Sequence, residues 1–445
     1  MFNFFKLELN GIGATLSLNT YFIKFKSNKS KLNWDKMNNN ENIKENNNNV
    51  EMTKFLAVLF AICSGLAIGN LYWAQPLLVQ IMTGFGLPAA NGGLLVTATQ
   101  IGYAIGILLI VPLGDFLPRK KLISIVIALS VVALVSCALS PSFMILSLSL
   151  FSMGIVTISG QIILPLAGDL SRDEERGHIV GIVSSGITTG ILFSRFASGI
   201  IAGFWGWRSV YIIAAALNLF MALIIIHVLP EISRKNQLVS YKRLLTSVFT
   251  TFKRHETLPR ILLHSGLIFG LVFNIFWTSL TFLLSEAPFN YSTMEIGLVS
   301  LAGLTAAIFG LGIGKLQDKG LSIPALGMFI IMSLVTMICG LMIYDSIIAI
   351  IIIAAVLSIA VQGISVLSQA RLFNLSNEER SRLNTVFVVN NFIFAALGSA
   401  LSSFLWSLGG WKYEMIGAIL ISLAALTVWI FSRKPFYNED QKSIA

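Results

Sequence analysis

Charge is what this chain has least of. Only 12% of its 445 residues are Asp, Glu, Lys or Arg, against 55% that are hydrophobic, where a water-soluble domain carries about a quarter charged residues. That scarcity excludes an ordinary soluble enzyme. Cysteine is nearly absent as well: Cys63, Cys137 and Cys339 all fall in apolar runs, where they read as small buried hydrophobes rather than as a disulfide framework. There is no metal-spaced His/Cys cluster, no P-loop and no nucleophile motif, so neither a cofactor nor a metal nor an enzyme activity is expected.

What the chain has in abundance is apolar sequence in long runs, each long enough to cross a hydrocarbon core of about 30 Å. Twelve spans are predicted, at 55–77, 92–112, 121–139, 143–166, 179–202, 209–229, 261–284, 295–315, 322–344, 347–369, 384–406 and 413–432. The reading is an all-α polytopic membrane protein. An even number of spans puts both termini on one side, and 28 of the 31 Lys and Arg fall in termini or loops of that side, leaving Arg208 and Lys412 opposite and Arg195 inside a span. By the positive-inside rule both termini are expected in the cytoplasm of a multi-pass cell-membrane protein. The net charge of +10 then reflects insertion and the lipid bilayer's anionic headgroups, and no nucleic-acid partner is expected. A monomer is expected.

The soluble parts are few. Residues 1–54 are polar and Asn-rich at 38–49, and are expected to form a disordered cytoplasmic extension with no signal peptide, translation starting at either Met1 or Met52. Between a six-span half at 55–229 and another at 261–432 lies a linker at 230–260, in which Tyr241, Leu245, Val248 and Phe252 recur at helical spacing; an amphipathic helix on the inner membrane surface follows. A tail at 433–445 ends the chain.

The two halves repeat. Asn70 and Trp73 return as Asn274 and Trp277, Glu174, Glu175 and Arg176 as Glu378, Glu379 and Arg380, and Gly206 and Trp207 as Gly410 and Trp411, each at an offset of 204 residues. Asp115 in PLGD and Asp318 in KLQD lie 203 apart. Six spans per copy give two repeats of the same orientation, related by an axis along the membrane normal, and make the repeat interface the default binding site.

Several stretches carry a family likeness: GNLYWAQPLL in the first span, TQIGYAIGILLIVPLGD in the second, the Gly-rich fifth span ending in GWR, FWTSLTFLL in the seventh and RSRLNT near the eleventh. Over 55–432 the chain resembles a twelve-helix member of the major facilitator superfamily, in its drug:proton antiporter-like bacterial group. That family's inner-loop motif, G-x-L-x-D-R-x-G-R-R, is matched at Asp115, Arg119 and Lys120, but Val111, Phe116 and Pro118 depart from it; GKLQDKG in the second half keeps Asp318 and Lys319. The resemblance implies that these residues latch the halves together in one access state. Charges that merely fix orientation are the alternative. A further departure is Leu150, which stands where many proton antiporters carry an Arg four residues before the position of Gly154.

Candidate substrate-lining residues follow from polarity inside spans. Asn70 with Trp73, Asn274 with Trp277, and Gln100 with Tyr103 are each three apart, on one helical face. An amide facing lipid is costly, so all are expected to face the interior, lining a path for an amphiphilic solute or packing helices through hydrogen bonds. Gln161, Gln362, Asn390 and Asn391 are read the same way. Arg195 lies well inside the fifth span with no acid at comparable depth in sequence, so carbonyls, a wet cavity, Glu295 or a substrate anion are its candidate partners, with snorkelling the alternative. Glu295, opening the eighth span, is the candidate proton-coupling group, with an ordinary N-terminal helix acid as the other reading. Glu286 is a second outer-end acid, and His227 and His264 are read as helix-end residues.

The function that follows is a secondary transporter moving a small organic molecule outward in exchange for protons. An uptake symporter or facilitator is the nearest alternative, and a transport-inactive membrane sensor the alternative of another class.

Overall fold

The structure, a computed structural model, describes residues 52–229 apart from 116 and 173, positions 241, 246, 250 and 251, 254–376 apart from 319, and 379–444. Residues 1–51 of the N-terminal extension and the linker residues expected to form an amphipathic helix, Leu245, Val248 and Phe252, lie outside these. Within them the regular elements are all helices. Ten helices are long and apolar enough to cross a bilayer. One of them, Arg380–Tyr437, is two spans, because the backbone leaves the helix at Gly409 and Gly410. With the shorter apolar helix Lys54–Gly69 the expected twelve spans are accounted for, in an all-α fold.

Local sequence starts the helices where it should. Thr53, Ser142 and Ser346 each offer a side-chain oxygen to the backbone N–H three residues on, satisfying a donor that the first turn leaves free. The turns between the fifth and sixth spans and between the eleventh and twelfth place Gly206 at φ 78° and Gly410 at φ 63°. Both need the left-handed region that glycine enters without a steric penalty, so the 204-residue repeat extends to backbone conformation. The tryptophans that follow, Trp207 and Trp411, are both buried.

Several spans depart from a continuous helix, the fourth at Thr157 and Ile158 and the eighth at a 3-10 turn over Ser300–Gly303 among them, and the departures in the first and seventh lie at or beside the repeated asparagine. The first span, expected unbroken over 55–77, is helical only over Lys54–Gly69; Asn70 caps it, and a short 3-10 turn, Gln75–Leu77, leads into Leu78–Gly84. Pro76 explains the break, since it has no N–H and its ring clashes with the carbonyl of the residue four before it. In the seventh span Leu258–Ser265 widens into a π-helix over Gly266–Val272 before resuming at Phe273–Ser285. Such widenings need their loosened carbonyls satisfied by other donors.

Packing divides with the repeat. One buried cluster draws on residues from Leu258 to Phe436, two others on 56–229 with Phe392 added from the second half, and a small fourth joins Ala74, Leu78 and Val96 to Phe282. The outside is apolar too: Met144, Met342 and Phe431 are 75%, 75% and 76% exposed. In water such a surface would aggregate; against lipid tails it is the expected face. The chain is a multi-pass membrane protein.

Candidate functional site

The asparagine–tryptophan pairs lie at the break in the first span and just beyond the π-turn in the seventh. At the first, Trp73 Nε1 donates to Asn70 Oδ1 at 2.9 Å, Asn70 Nδ2 donates to Thr157 Oγ1 at 2.9 Å, and Thr157 Oγ1 donates to the Ala67 carbonyl at 2.8 Å. Asn70 and Trp73 are therefore three apart across a turn, not along a regular helix, and their polar atoms are engaged with one another and with the fourth span. At the second break Asn274 Nδ2 donates to the carbonyls of Gly270 at 2.9 Å and Phe269 at 3.2 Å. Its amide thus serves the two acceptors that the π-turn loosens.

Asn274 also ties the halves together. Gln100 Nε2, from the second span, donates to Asn274 Oδ1 at 2.7 Å, and Ser399 Oγ, from the eleventh, donates to Gln100 Oε1 at 3.2 Å. All three are buried. One turn further along the second span, Tyr103 stacks edge-on against Phe392 with ring centroids 4.4 Å apart and accepts a hydrogen bond from Gln161 Nε2 at 3.1 Å. Gln100, Tyr103, Gln161 and Asn274 thus come together between the halves. Asn391 is buried nearby in sequence on the eleventh span with its Oδ1 unpartnered, whereas Asn390 donates to the Leu262 carbonyl at 2.9 Å and Gln362 packs on Gly310, both within the second half.

Arg195 is 1% exposed, and of the partners expected for it within the protein it meets a carbonyl oxygen, that of a side-chain amide, and not Glu295. Its Nε donates to Gln75 Oε1 at 2.6 Å, and its guanidinium carbon lies 4.7 Å, 4.6 Å and 5.5 Å from the ring centroids of Tyr72, Trp277 and Phe273. The residue is caged by aromatic faces from both halves, and cation–π attraction offsets part of its desolvation. Gln75 went unremarked in the sequence because its role depends on the break before Pro76. Glu295 is occupied elsewhere: its carboxylate accepts from Ser292 N and Oγ, each at 2.8 Å, while Ser292 Oγ caps Glu295 N. This is a capping box at an exposed helix start, and Arg195 has no part in it.

One acid does lie deep, against the expectation that none would. Glu414, in the twelfth span, is 0% exposed; its Oε1 accepts from Ser402 Oγ at 2.7 Å and its Oε2 has no hydrogen-bond partner. His264, read as a helix-end residue, is likewise buried, with its ring 5.9 Å from that of Phe436.

At the end of the bundle remote from the chain termini the halves are in contact through small residues. A Cβ on Gly199 of the fifth span would lie 2.7 Å from Gly297 Cα of the eighth, and one on Gly93 of the second would run into Ser403 Oγ of the eleventh. Thr97 Oγ1 donates to the Ala396 carbonyl at 3.1 Å and Thr281 Oγ1 to the Gln75 carbonyl at 2.9 Å. At the terminal-side half of the fifth span Ser185 and Thr189 are exposed, and a Cβ on Gly181 would meet nothing within 4 Å.

Of the residues expected to latch the halves, Arg119 pairs with Asp169 at 2.7 Å, within the first half. Asp169 closes the fourth span, so this pair links the third span to the fourth. Lys120 is half-buried. The side chains of Asp115 and Asp318, and all of Lys319, lie outside the described residues. In the second half Glu379 gathers Arg254 Nη1, His255 Nε2 at 3.1 Å and Arg382 Nη1 at 3.7 Å. The hydrogen bond from His255, and then the charges of Arg254, His255 and Arg382, hold its carboxyl below the usual range against the opposing effect of burial.

Residues 60–365 and 288–445 match the family model described as Major Facilitator Superfamily. The uncharacterized transporter YgaY of Escherichia coli O157:H7 is 36% identical over 381 residues, spanning 86% of this chain and 96% of that protein. The probable transporter SCO4007 of Streptomyces coelicolor is 27% identical over 358 residues, 79% of this chain and 82% of its own. In fold, a bacterial homolog of the human lysosomal transporter Spinster, crystallised in an inward-facing and occupied conformation, matches with a TM-score of 0.72 over 86% of this chain and 97% of that one, at 16% identity.

Proposed function

The chain belongs to the major facilitator superfamily and is a transporter, and on that premise we propose that it carries a small organic molecule outward across the cell membrane in exchange for protons. The observation that carries the reading is the buried bridge between halves: Gln100 of one half bonded to Asn274 and Ser399 of the other. Buried polar groups shared across a repeat interface are the contacts that alternating access must break and remake. Glycine contacts at the far end, beside exposed Ser185 and Thr189 toward the terminal end, fit a state closed on the far side. Outward direction rests on the resemblance of the first, second and seventh spans to drug:proton antiporters.

Proton exchange requires a group that gains and loses a proton within the path. Glu295 is held by Ser292 at an exposed helix start, so the candidate becomes Glu414, a carboxyl buried within the second half with one oxygen unpartnered. Asp115, Arg119, Lys120, Asp318 and Lys319 complete the proposal as the terminal-side latch. The deciding experiment is Glu414→Gln in proteoliposomes, assayed for gradient-driven accumulation and for substrate counterflow at equal pH, with Glu295→Gln in parallel. Loss of accumulation with counterflow preserved is expected for Glu414→Gln. Both activities surviving in both variants would remove Glu414 and Glu295 from the coupling, and no gradient-driven accumulation in the unaltered chain would remove proton exchange and leave facilitated diffusion.

A further inference from the structure

The cage around Arg195 is unbalanced in one respect: it is rich in donors and poor in acceptors. Arg195 Nη1 and Nη2, Gln75 Nε2 and Trp277 Nε1 are all buried without a hydrogen-bond partner. Each is a nitrogen that can only donate. The orientation of the Gln75 amide is fixed by chemistry, because Arg195 Nε can bond only an oxygen, which turns the amide's NH2 into the same group of donors. Among the described residues no carboxylate forms an ion pair with Arg195.

Four buried donors around a guanidinium describe the complement of a carboxylate, which accepts through two oxygens and takes a guanidinium's paired N–H groups side by side. Leaving them empty is costly, since an unmet buried donor forfeits its hydration and a charged one more so. Three ring faces cannot supply what is missing. They attract the cation from above and below, whereas the Nη donors lie in the guanidinium plane. The same rings, Tyr72, Phe273 and Trp277, offer an apolar wall to whatever body the carboxylate is attached to.

We propose that Arg195, Gln75 and Trp277 form a carboxylate-binding subsite in the transport path, and that the transported molecule is a small organic anion whose apolar part lies against Tyr72 and Phe273. The inference rests on the transporter reading. Tyr72, Gln75 and Arg195 belong to the first half and Phe273 and Trp277 to the second, so a ligand held here contacts both. Its binding therefore biases the arrangement of the halves, which is the differential affinity that a solute-driven conformational change requires. Arg195 is enclosed in this conformation, and parting of the halves exposes the donors.

The test uses the purified full chain in detergent with two matched pairs of probes, benzoate with benzamide and hexanoate with hexanamide, read as shifts in the thermal unfolding midpoint and as quenching of tryptophan fluorescence. A carboxylate of either pair should shift the midpoint upward in a saturable way while its amide does not. Arg195→Lys should weaken that binding, and Arg195→Met should abolish it. Gln75→Glu provides a variant that does not depend on tolerance of an empty site. It places a carboxylate beside the guanidinium, so the unfolding midpoint should rise and the added carboxylates should no longer bind. Amides binding as well as acids, carboxylate binding unaltered in Arg195→Met, or no carboxylate-specific shift at all would each overturn the proposal. Failure of the transport reading looks different. In that case carboxylates bind in an Arg195-dependent manner but cross proteoliposome membranes no faster than they cross protein-free liposomes, whereas transport of neutral or cationic solutes untouched by Arg195→Met would remove the anion assignment alone.

Discussion

Gly199 has no side chain because the backbone of Gly297 occupies the place one would take: a Cβ there would sit 2.7 Å from Gly297 Cα and 2.8 Å from the Thr293 carbonyl oxygen. Neither is the movable end of a flexible side chain, so Gly199→Val forces the fifth and eighth spans apart at the far end. Gly181 in the same helix is the matched control, since a Cβ there meets nothing within 4 Å. Gly199→Val is expected to abolish transport and to open Ser403Cys, at the far-end contact, to a membrane-impermeant maleimide, while Gly181→Ala keeps transport and leaves that cysteine slow to react. Equal reactivity in the two backgrounds would show that the glycine contact is not the closure. At this scale the sequence was partly legible. Repetition at 204 residues singled out Asn70, Trp73, Asn274 and Trp277, but repetition is blind to residues present in one half only. Gln75, Thr157 and Glu414 have no repeated partner. Glu414 also follows Lys412 two residues after a turn, where a charge reads as loop, and only the position at which the helix resumes after Gly410 shows it to be buried.

The broken first span and the widened seventh show how an element differs from its hydropathy. A window averaged over about 19 residues registers apolar length and cannot register a 3-10 turn or a π-turn within it. Pro76 was the one local signal, and it marked the first break but not the second. The π-turn is held by Asn274, whose Nδ2 meets Phe269 O and Gly270 O. Asn274→Leu keeps the branched shape and deletes these donors along with the acceptor for Gln100. Each buried group left unmet costs about 1–3 kcal/mol, so the thermal unfolding midpoint should fall by several degrees, and hydrogen exchange over 266–274 should speed up. An unchanged midpoint would mean that the π-turn needs no side-chain support. The link between Arg254, His255 and Glu379 ties the end of the linker to the start of the eleventh span. A carboxyl held below its usual range stabilises fully above that range, and the contribution is lost as pH falls through its folded value. A fluorescent probe at Thr246 should therefore become more mobile on acidification through the carboxylate range, and at neutral pH already in Glu379→Gln; mobility independent of pH in both would remove Glu379 as the anchor.

For the molecule as a whole, orientation is decided by a small number of charges. Moving a hydrophilic loop with several cations across a bilayer against the membrane potential is disfavoured, so the side holding 28 of 31 Lys and Arg is expected to stay inside. The two cations in far-side loops are exceptions of a limited kind. Arg208 is held locally, its guanidinium carbon 4.2 Å from the Trp207 ring centroid and its Nη2 donating to the Ser140 carbonyl at 2.9 Å, while Lys412 is exposed beside the turn at Gly410. Neither forms a cluster able to compete with the seven basic residues between 231 and 260. Reporter fusions give a direct readout. Alkaline phosphatase joined after Asn290 should be active, because that enzyme folds only outside the cytoplasm, and fusions after Lys235 or Ser443 should be inactive. Arg208→Gln combined with Lys412→Gln should leave this pattern unchanged, since removing far-side cations only strengthens the asymmetry. Conversely, replacing the seven basic residues of 231–260 by Gln should produce a mixed population at the seventh span, with phosphatase activity appearing after Lys235Gln. An active fusion after Lys235 in the unaltered chain would place the linker outside and reverse the assignment of both ends of the bundle.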